Sequence, residues 1–231
     1  MEVLPAREFS TLYIYLDIIW LVFYALILGY SKRYLAITAG LVGCVLYFAV
    51  DYGIFYLALD TRVVTGADPF WLLLWLSSSY GFTNFAWIWL LLDRDSYAVE
   101  WSLLTISGWL AVAMLSQSFG SDMPFVSISR GTSDYHGIMA FILAVGYLFL
   151  IIRNIRVGAR QKVNILRLLV IGIGVQLSWE FVLLITGIRP AGIMPIIVDS
   201  LIETNLGMPY LYLVHRVVSR RFISKTRNLQ V

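Results

Sequence analysis

Charge is scarce in this sequence. Only 13% of the 231 residues are Asp, Glu, Lys or Arg, 60% are hydrophobic, and mean hydropathy is +0.80. A soluble domain carries roughly 25% charged residues, so a water-facing shell around this much apolar side chain is excluded and lipid is the expected solvent. Cysteine is nearly absent. The lone Cys44 excludes an internal disulfide and a Cys-based zinc site, and reads as a small packing residue. Histidine is limited to His136 and His215, near the ends of apolar runs and far apart, which speaks against a His-based metal site. Lysine occurs only at positions 32, 162 and 225, outside the apolar runs, which excludes a retinal Schiff base in the last of them. There is no aspartate-rich DDxxD or DxDD run to ionise a diphosphate through magnesium, and no phosphate-cradling glycine loop. No metal and no cofactor is therefore expected. Glu2 and Glu8 stand where a signal peptide would carry basic residues, so no cleavable signal peptide is expected. A net charge of +3 needs no nucleic acid to explain it.

Long apolar runs are what the chain has in quantity. A membrane-spanning helix takes about 20 apolar residues. Seven candidate runs occupy 12–30, 34–58, 70–92, 100–117, 135–152, 164–186 and 194–215. Backbone amides in hydrocarbon must bond within their own segment, so each run reads as a helix. The expected fold is all-α: a polytopic protein with seven transmembrane helices in a single membrane domain, 1–231. Segment 118–134 is the longest loop.

Basic residues give the orientation. With the N-terminus outside, the outer segments keep only Arg7, Arg62, Arg130 and Arg189 of the 17 Lys and Arg. The positive-inside rule then predicts N-out, C-in. The run Arg220–Arg227 reads first as part of this signal, although such a segment can also touch anionic headgroups.

The chain also echoes itself. Residues 31–56 and 160–183 each open on basic residues and reach an acid late in the run, Asp51 in one and Glu180 in the other. The next run in each half holds Thr-Asn, aromatics and then an arginine: Thr83-Asn84, Trp87, Trp89 and Arg94, against Thr204-Asn205, Tyr210, Tyr212 and Arg216. Two three-helix units, roughly 10–95 and 134–217, with a connector helix at 100–117, make a parallel 3+1+3 repeat.

Five acids fall inside the runs: Asp17, Asp51, Glu180, Asp199 and Glu203. A charge at the bilayer centre costs roughly 2.5–3.5 kcal/mol on insertion scales. All five are expected in the outer half of their spans, roughly 7–14 Å from the outer ends at the helical rise. Similar depth on four helices predicts one polar cavity. No Lys or Arg is expected deep enough to pair with these acids, so some should be neutral. Asp199 and Glu203, at i and i+4, make joint ionisation harder. Asp17 and Asp199 also fit the simpler reading of interfacial residues that touch water.

Aromatic residues accompany the acids. Tyr47, Asp51 and Phe55 share one face by spacing, and Tyr80, Asn84 and Trp87 or Ile88 share another. Trp179 precedes Glu180. Many of the eight Trp and fourteen Tyr belong to interfacial belts, but aromatics at mid-span beside an acid offer π faces to a cation in a pocket that holds a proton donor.

These residues carry a resemblance. Asp17-Ile-Ile-Trp20 followed by Ser31-Lys-Arg-Tyr34 looks like the opening of the small fungal integral-membrane terpene cyclases of indole-diterpene and meroterpenoid pathways. That family has an essential acid late in its second span, in an aromatic-acid pair; here Val50-Asp51-Tyr52 keeps the acid, with Asp for Glu and Val for Trp. Its second essential acid lies in span seven, before a Gly- and aromatic-containing stretch, which Glu203-Thr-Asn-Leu-Gly-Met-Pro-Tyr210 resembles. Trp179-Glu180-Phe181 resembles the family's Trp-Glu signature, moved to span six. The resemblance implies a lipophilic prenylated substrate drawn from the bilayer of the endoplasmic reticulum and a metal-independent cyclisation started by a carboxylic acid. Asp51 and Glu203 would be the acid/base pair. Glu180, Asp17, Asn84, Asp199 and Asn205 would support them, and Trp179, Tyr47 and Tyr80 would line the pocket.

A second reading is a small-solute transporter, proton-coupled through its acids, built on the 3+1+3 plan. Asn84 and Asn205, at equivalent repeat positions, suit a polar solute. Against it, the repeats diverge at the acids, since Glu203 aligns with Phe82. A receptor or scaffold without chemistry is a third reading that no residue specifically favours.

Overall fold

The computed structural model describes residues 7–130, 136–189 and 204–228. It is 79% helical, as the apolar runs require. The elements are β1 (Arg7–Ser10), α1 (Thr11–Tyr30), α2 (Tyr34–Phe48) running on into π-helical turns (Ala49–Ala58), β2 (Arg62–Thr65), α3 (Pro69–Asp93), α4 (Ala98–Phe119), β3 (Phe125–Arg130), α5 (His136–Arg156), a 3-10 turn (Ala159–Gln161), α6 (Ile165–Ile185) and α7 (Thr204–Asn228).

Five helical segments among the described residues are long and apolar enough to cross a membrane: α1, α2 with its π-helical extension, α4, α5 and α6. Their outward side chains include Ile19, Leu26, Val45, Phe141 and Val170, all exposed. In water that would be one very large apolar surface, whereas in lipid it is a matched one. α3 and α7 are just as long, at 25 residues each, but their hydropathy falls short of that needed to count with these five. α7 runs into Arg216, Arg220 and Arg221. α3 carries Ser77, Ser79, Thr83 and Asn84, and buries nearly its whole circumference against its neighbours, so it does not depend on lipid for its cover.

α3 is therefore the axis of the bundle. Asp68 caps it, its carboxylate accepting from the Trp71 N–H at 3.1 Å, and Pro69 occupies the first turn where no amide is missed. It ends at Arg94 in a left-handed conformation, φ 56°. Against α2 it packs glycine to glycine. A Cβ on Gly43 would stand 2.5 Å from the Gly81 carbonyl, and one on Gly81 would stand 2.9 Å from that of Gly43. Small residues that let backbones touch are the usual means of joining helices where no hydrophobic drive operates between them.

Segments expected as loops form a three-stranded antiparallel sheet in the order β1-β3-β2. Phe9 faces Val126 and Arg7 faces Ile128 across one ladder; Arg62 faces Arg130 and Val64 faces Ile128 across the other. Alternation decides which side is buried: Arg7 and Phe9 point in while Glu8 points out, and Arg62 points in while Val63 points out. The expected loop 118–134 thus contributes the middle strand. The purely helical expectation missed this cap, which is what brings arginines into the bundle.

Candidate functional site

The first buried acid is built at the end of α2. From Ala49 the helix opens into π-helical turns, a geometry frequent at functional positions. Tyr47, Asp51 and Phe55 still face a common space. The chain then leaves through Asp60, left-handed at φ 49°. Thr61 ties the reversal down with two hydrogen bonds to the Phe55 carbonyl, 2.8 Å from its amide and 3.0 Å from its hydroxyl. Arg62 is thereby laid back on Asp51, and its Nη2 donates to Oδ1 in a buried ion pair. Tyr80, from α3, donates its hydroxyl to Oδ2 at 2.6 Å.

Glu180 is treated in the same way. α6 ends at Ile185, and Gly187 takes a left-handed conformation at φ 73°. The Gly187 and Arg189 amides donate to the Leu184 and Leu183 carbonyls at 3.1 and 3.0 Å. Arg189 returns to Glu180, with Nη2 2.6 Å from Oε2. Gln176 Nε2 donates to Oε1 at 3.0 Å, and Arg7 Nη2 stands 4.0 Å from the same oxygen. In both halves a left-handed residue lies two positions before the arginine that folds back on the acid. The Arg7 guanidinium is 5.8 Å from the ring centroids of both Tyr80 and Trp179, within cation–π range, so it links the Glu180 cluster to the Asp51 cluster.

Two expectations need correction. The acids do not lack cations: Arg62, Arg7 and Arg189 reach them, because tight turns and an inward-facing strand fold the outer arginines into the bundle. The premise on which some of the five acids were expected to be neutral, that no cation reaches them, therefore does not hold for Asp51 and Glu180. Nor do the described acids Asp17, Asp51 and Glu180 share one polar cavity. Asp17 accepts from Trp75 Nε1 at 3.0 Å, beside a cluster of Phe9, Tyr13 and Trp75 rings. Glu180 is 0% exposed among its arginines. Of these three, it is Asp51 that lines the apolar cavity.

That cavity has a volume of about 290 Å³ and lies among α2, α3, α5 and α7. Tyr47, Phe55, Tyr80, Phe85, Ile88, Met139 and Tyr210 line it, and among the described residues Asp51 and Arg62 are its charged groups. The Tyr47 and Tyr80 rings are 4.3 Å apart. The Tyr210 hydroxyl is used on the Ile142 carbonyl at 2.8 Å. Of the other expected site residues, Trp179 is buried edge-on against Trp109, 4.8 Å between centroids, away from this wall. Asn84 is 1% exposed, does not line the cavity, and neither of its amide atoms has a hydrogen-bond partner. Asp199, Glu203 and the side chain of Asn205 lie outside the described residues.

Chemically, the arrangement is an apolar, aromatic-walled chamber with one carboxylate at its edge, held by an arginine and a phenol. Such a carboxylate can accept a proton, and the rings can face a cation. Sequence reasoning missed Arg62, Arg7, Arg189 and Gln176. A signal existed for three of them: they are arginines on the side of the membrane that the positive-inside rule leaves poor in basic residues. Comparison with family models, with curated proteins and with solved structures found no match.

Proposed function

We propose that this chain is an integral-membrane terpene cyclase of the endoplasmic reticulum with seven spans, N-out and C-in, that cyclises an epoxidised prenyl chain on a lipophilic head group without a metal. The observation that carries this reading is the Asp51 cavity, since carbocation chemistry needs a water-excluding apolar chamber, π faces along the path of the charge and a positioned carboxylate. Counting α3 and α7 as spans gives the odd number that this orientation requires. The α2 and α6 ends, each with an acid answered by an arginine beyond a left-handed turn, support the repeat.

The roles divide by environment. Asp51, paired with Arg62 and bonded by Tyr80, suits the base that removes the final proton from carbon. Glu203 is assigned the general acid; the helix that follows it in the chain lines the cavity through Gly207, Tyr210 and Leu211. One proton enters at the epoxide oxygen, the C–O bond breaks, ring C–C bonds form from the polyene, and one proton leaves to Asp51. The product is an isomer of the substrate.

Microsomes containing the protein should convert an epoxyfarnesyl aromatic to a cyclic product of equal mass, and Glu203→Gln and Asp51→Asn should each abolish it. Wild-type yields from both variants would sink the assignment. The same repeated acid–arginine turns also favour the transporter reading, in which the acids couple solute movement to protons. Uptake of a polar solute into proteoliposomes, with no isomerisation, would decide for it.

A further inference from the structure

The wall of the Asp51 cavity holds donors that the ion pair does not use. Arg62 gives Nη2 to Asp51. Its Nε and Nη1 are buried and have no hydrogen-bond partner, in a residue 3% exposed that lines the cavity. The Phe55 ring lies 5.3 Å from the guanidinium carbon and offers its π face rather than an acceptor. Nearly all buried polar groups in proteins find partners. Orphaned guanidinium N–H groups in an apolar wall therefore mark a place where a ligand atom docks. The neighbouring hydroxyls are committed elsewhere, Tyr80 to Asp51 and Tyr210 to the Ile142 carbonyl.

We infer that Arg62 is a ligand-binding residue whose free donors hold an oxygen acceptor on an otherwise apolar amphiphile. Charge selects the class of that oxygen. Among the described residues of the wall Arg62 and Asp51 are the charged groups and cancel, so a neutral acceptor such as a ketone or ether enters without adding net charge. A phosphate or carboxylate would bring a charge that this wall leaves uncompensated. The remainder of the wall, with Tyr47, Phe85, Ile88 and Met139, takes branched hydrocarbon. This inference rests on the reading of the cavity as a prenyl-chain site and deepens it: the head-group oxygen lies at Asp51 and the chain runs away from it, with the epoxide at the far end.

The test reads binding and not turnover. The full chain in lipid nanodiscs is given radiolabelled farnesylacetone, a prenyl ketone, in competition with the hydrocarbon of the same skeleton in which CH2 replaces the carbonyl. The ketone should bind about tenfold tighter, the worth of one buried hydrogen bond to a charged donor. Arg62→Lys keeps a cation opposite Asp51 but removes Nε and Nη1, and should bring the ketone down to the hydrocarbon's affinity while leaving the hydrocarbon unchanged. The paired variant Asp51→Asn/Arg62→Met, neutral at both positions, should also lose the preference and guards against misfolding of the first. Equal affinities in the wild type, or a preference that survives in either variant, would overturn the inference. Tighter binding of farnesyl phosphate than of the ketone would overturn the neutral class. If neither probe binds, the prenyl-site reading falls and the inference with it. If the ketone preference is present but no isomer ever forms, the enzymatic reading falls alone.

Discussion

Tyr80 donates its hydroxyl to Asp51 at 2.6 Å, from one helix to the next. Both side chains are nearly water-free. The bond is possible because α2 and α3 approach at their glycines, near enough for a phenol to span the gap. It places a neutral donor on one carboxylate oxygen and a cation on the other, so Asp51 is held in one orientation at the edge of the cavity.

Removing that donor tests the arrangement. Tyr80→Phe keeps the ring and its contact with Tyr47 and loses only the hydroxyl. A hydrogen bond to a charged group is worth about 1.5–3 kcal/mol, and a drop of this size in unfolding stability in detergent is expected. An unchanged melting profile would contradict the bond.

The Asp51–Arg62 pair should show strong coupling. Deleting one partner of a buried pair leaves an uncompensated charge and costs about 3–5 kcal/mol. Asp51→Asn and Arg62→Met should each destabilise on that scale, and the double variant should lose much less than their sum. Additive losses in a double-mutant cycle would rule the pairing out.

Glycine positions offer a graded test of the helix contact. Gly43→Ala drives a methyl against the Gly81 carbonyl, and overpacking of this kind costs about 1–3 kcal/mol. Gly174→Ala meets nothing within 4 Å and should be tolerated or mildly stabilising. Equal behaviour of the two variants in a thermal scan would argue against the close α2–α3 approach.

Gly187 isolates a backbone effect. A Cβ there also meets nothing within 4 Å, yet its φ is 73°. Gly187→Ala should cost about 1–2 kcal/mol through left-handed strain alone, and Gly187→Asn should cost less. A fully neutral Gly187→Ala in the same assay would remove the turn from the account of how Arg189 reaches Glu180.

The helices were legible because their signal is long: runs of about twenty apolar residues leave few alternatives. Tyr47, Asp51 and Phe55 were legible as neighbours because four-residue spacing puts side chains on one face. The sheet was not. Its strands are four to six residues long, sit between helices, and pair across gaps that no local pattern records. The arginine partners were hidden for a related reason. Their position depends on left-handed turns at Asp60 and Gly187, which reverse the chain within a few residues, whereas an apolar-run reading treats everything between spans as solvent-side. Asn84 shows the reverse error: its spacing puts it in line with Tyr80, but α3 is enclosed on so many sides that the alignment does not bring it to the cavity.

Orientation can be read directly. On the proposed N-out topology, an N-glycosylation acceptor introduced into the turn between α4 and β3, at residues 120–124, should receive a glycan in microsomes, and one introduced between α3 and α4 should not. The opposite pattern would invert the topology and move Arg62 and Arg189 to the cytosolic face.

The order of the sheet also sets an order of assembly. β3 lies between β1 and β2, so neither flanking strand has a ladder partner until Phe125–Arg130 has been made and α1 to α4 have taken their places. Before that moment Arg7 lies on an unpaired strand, while Arg62 is held near Asp51 by the turn at Thr61 alone. Six residues in the middle of the chain thus complete the sheet, and a truncation that ends before them leaves both flanking strands without a ladder partner.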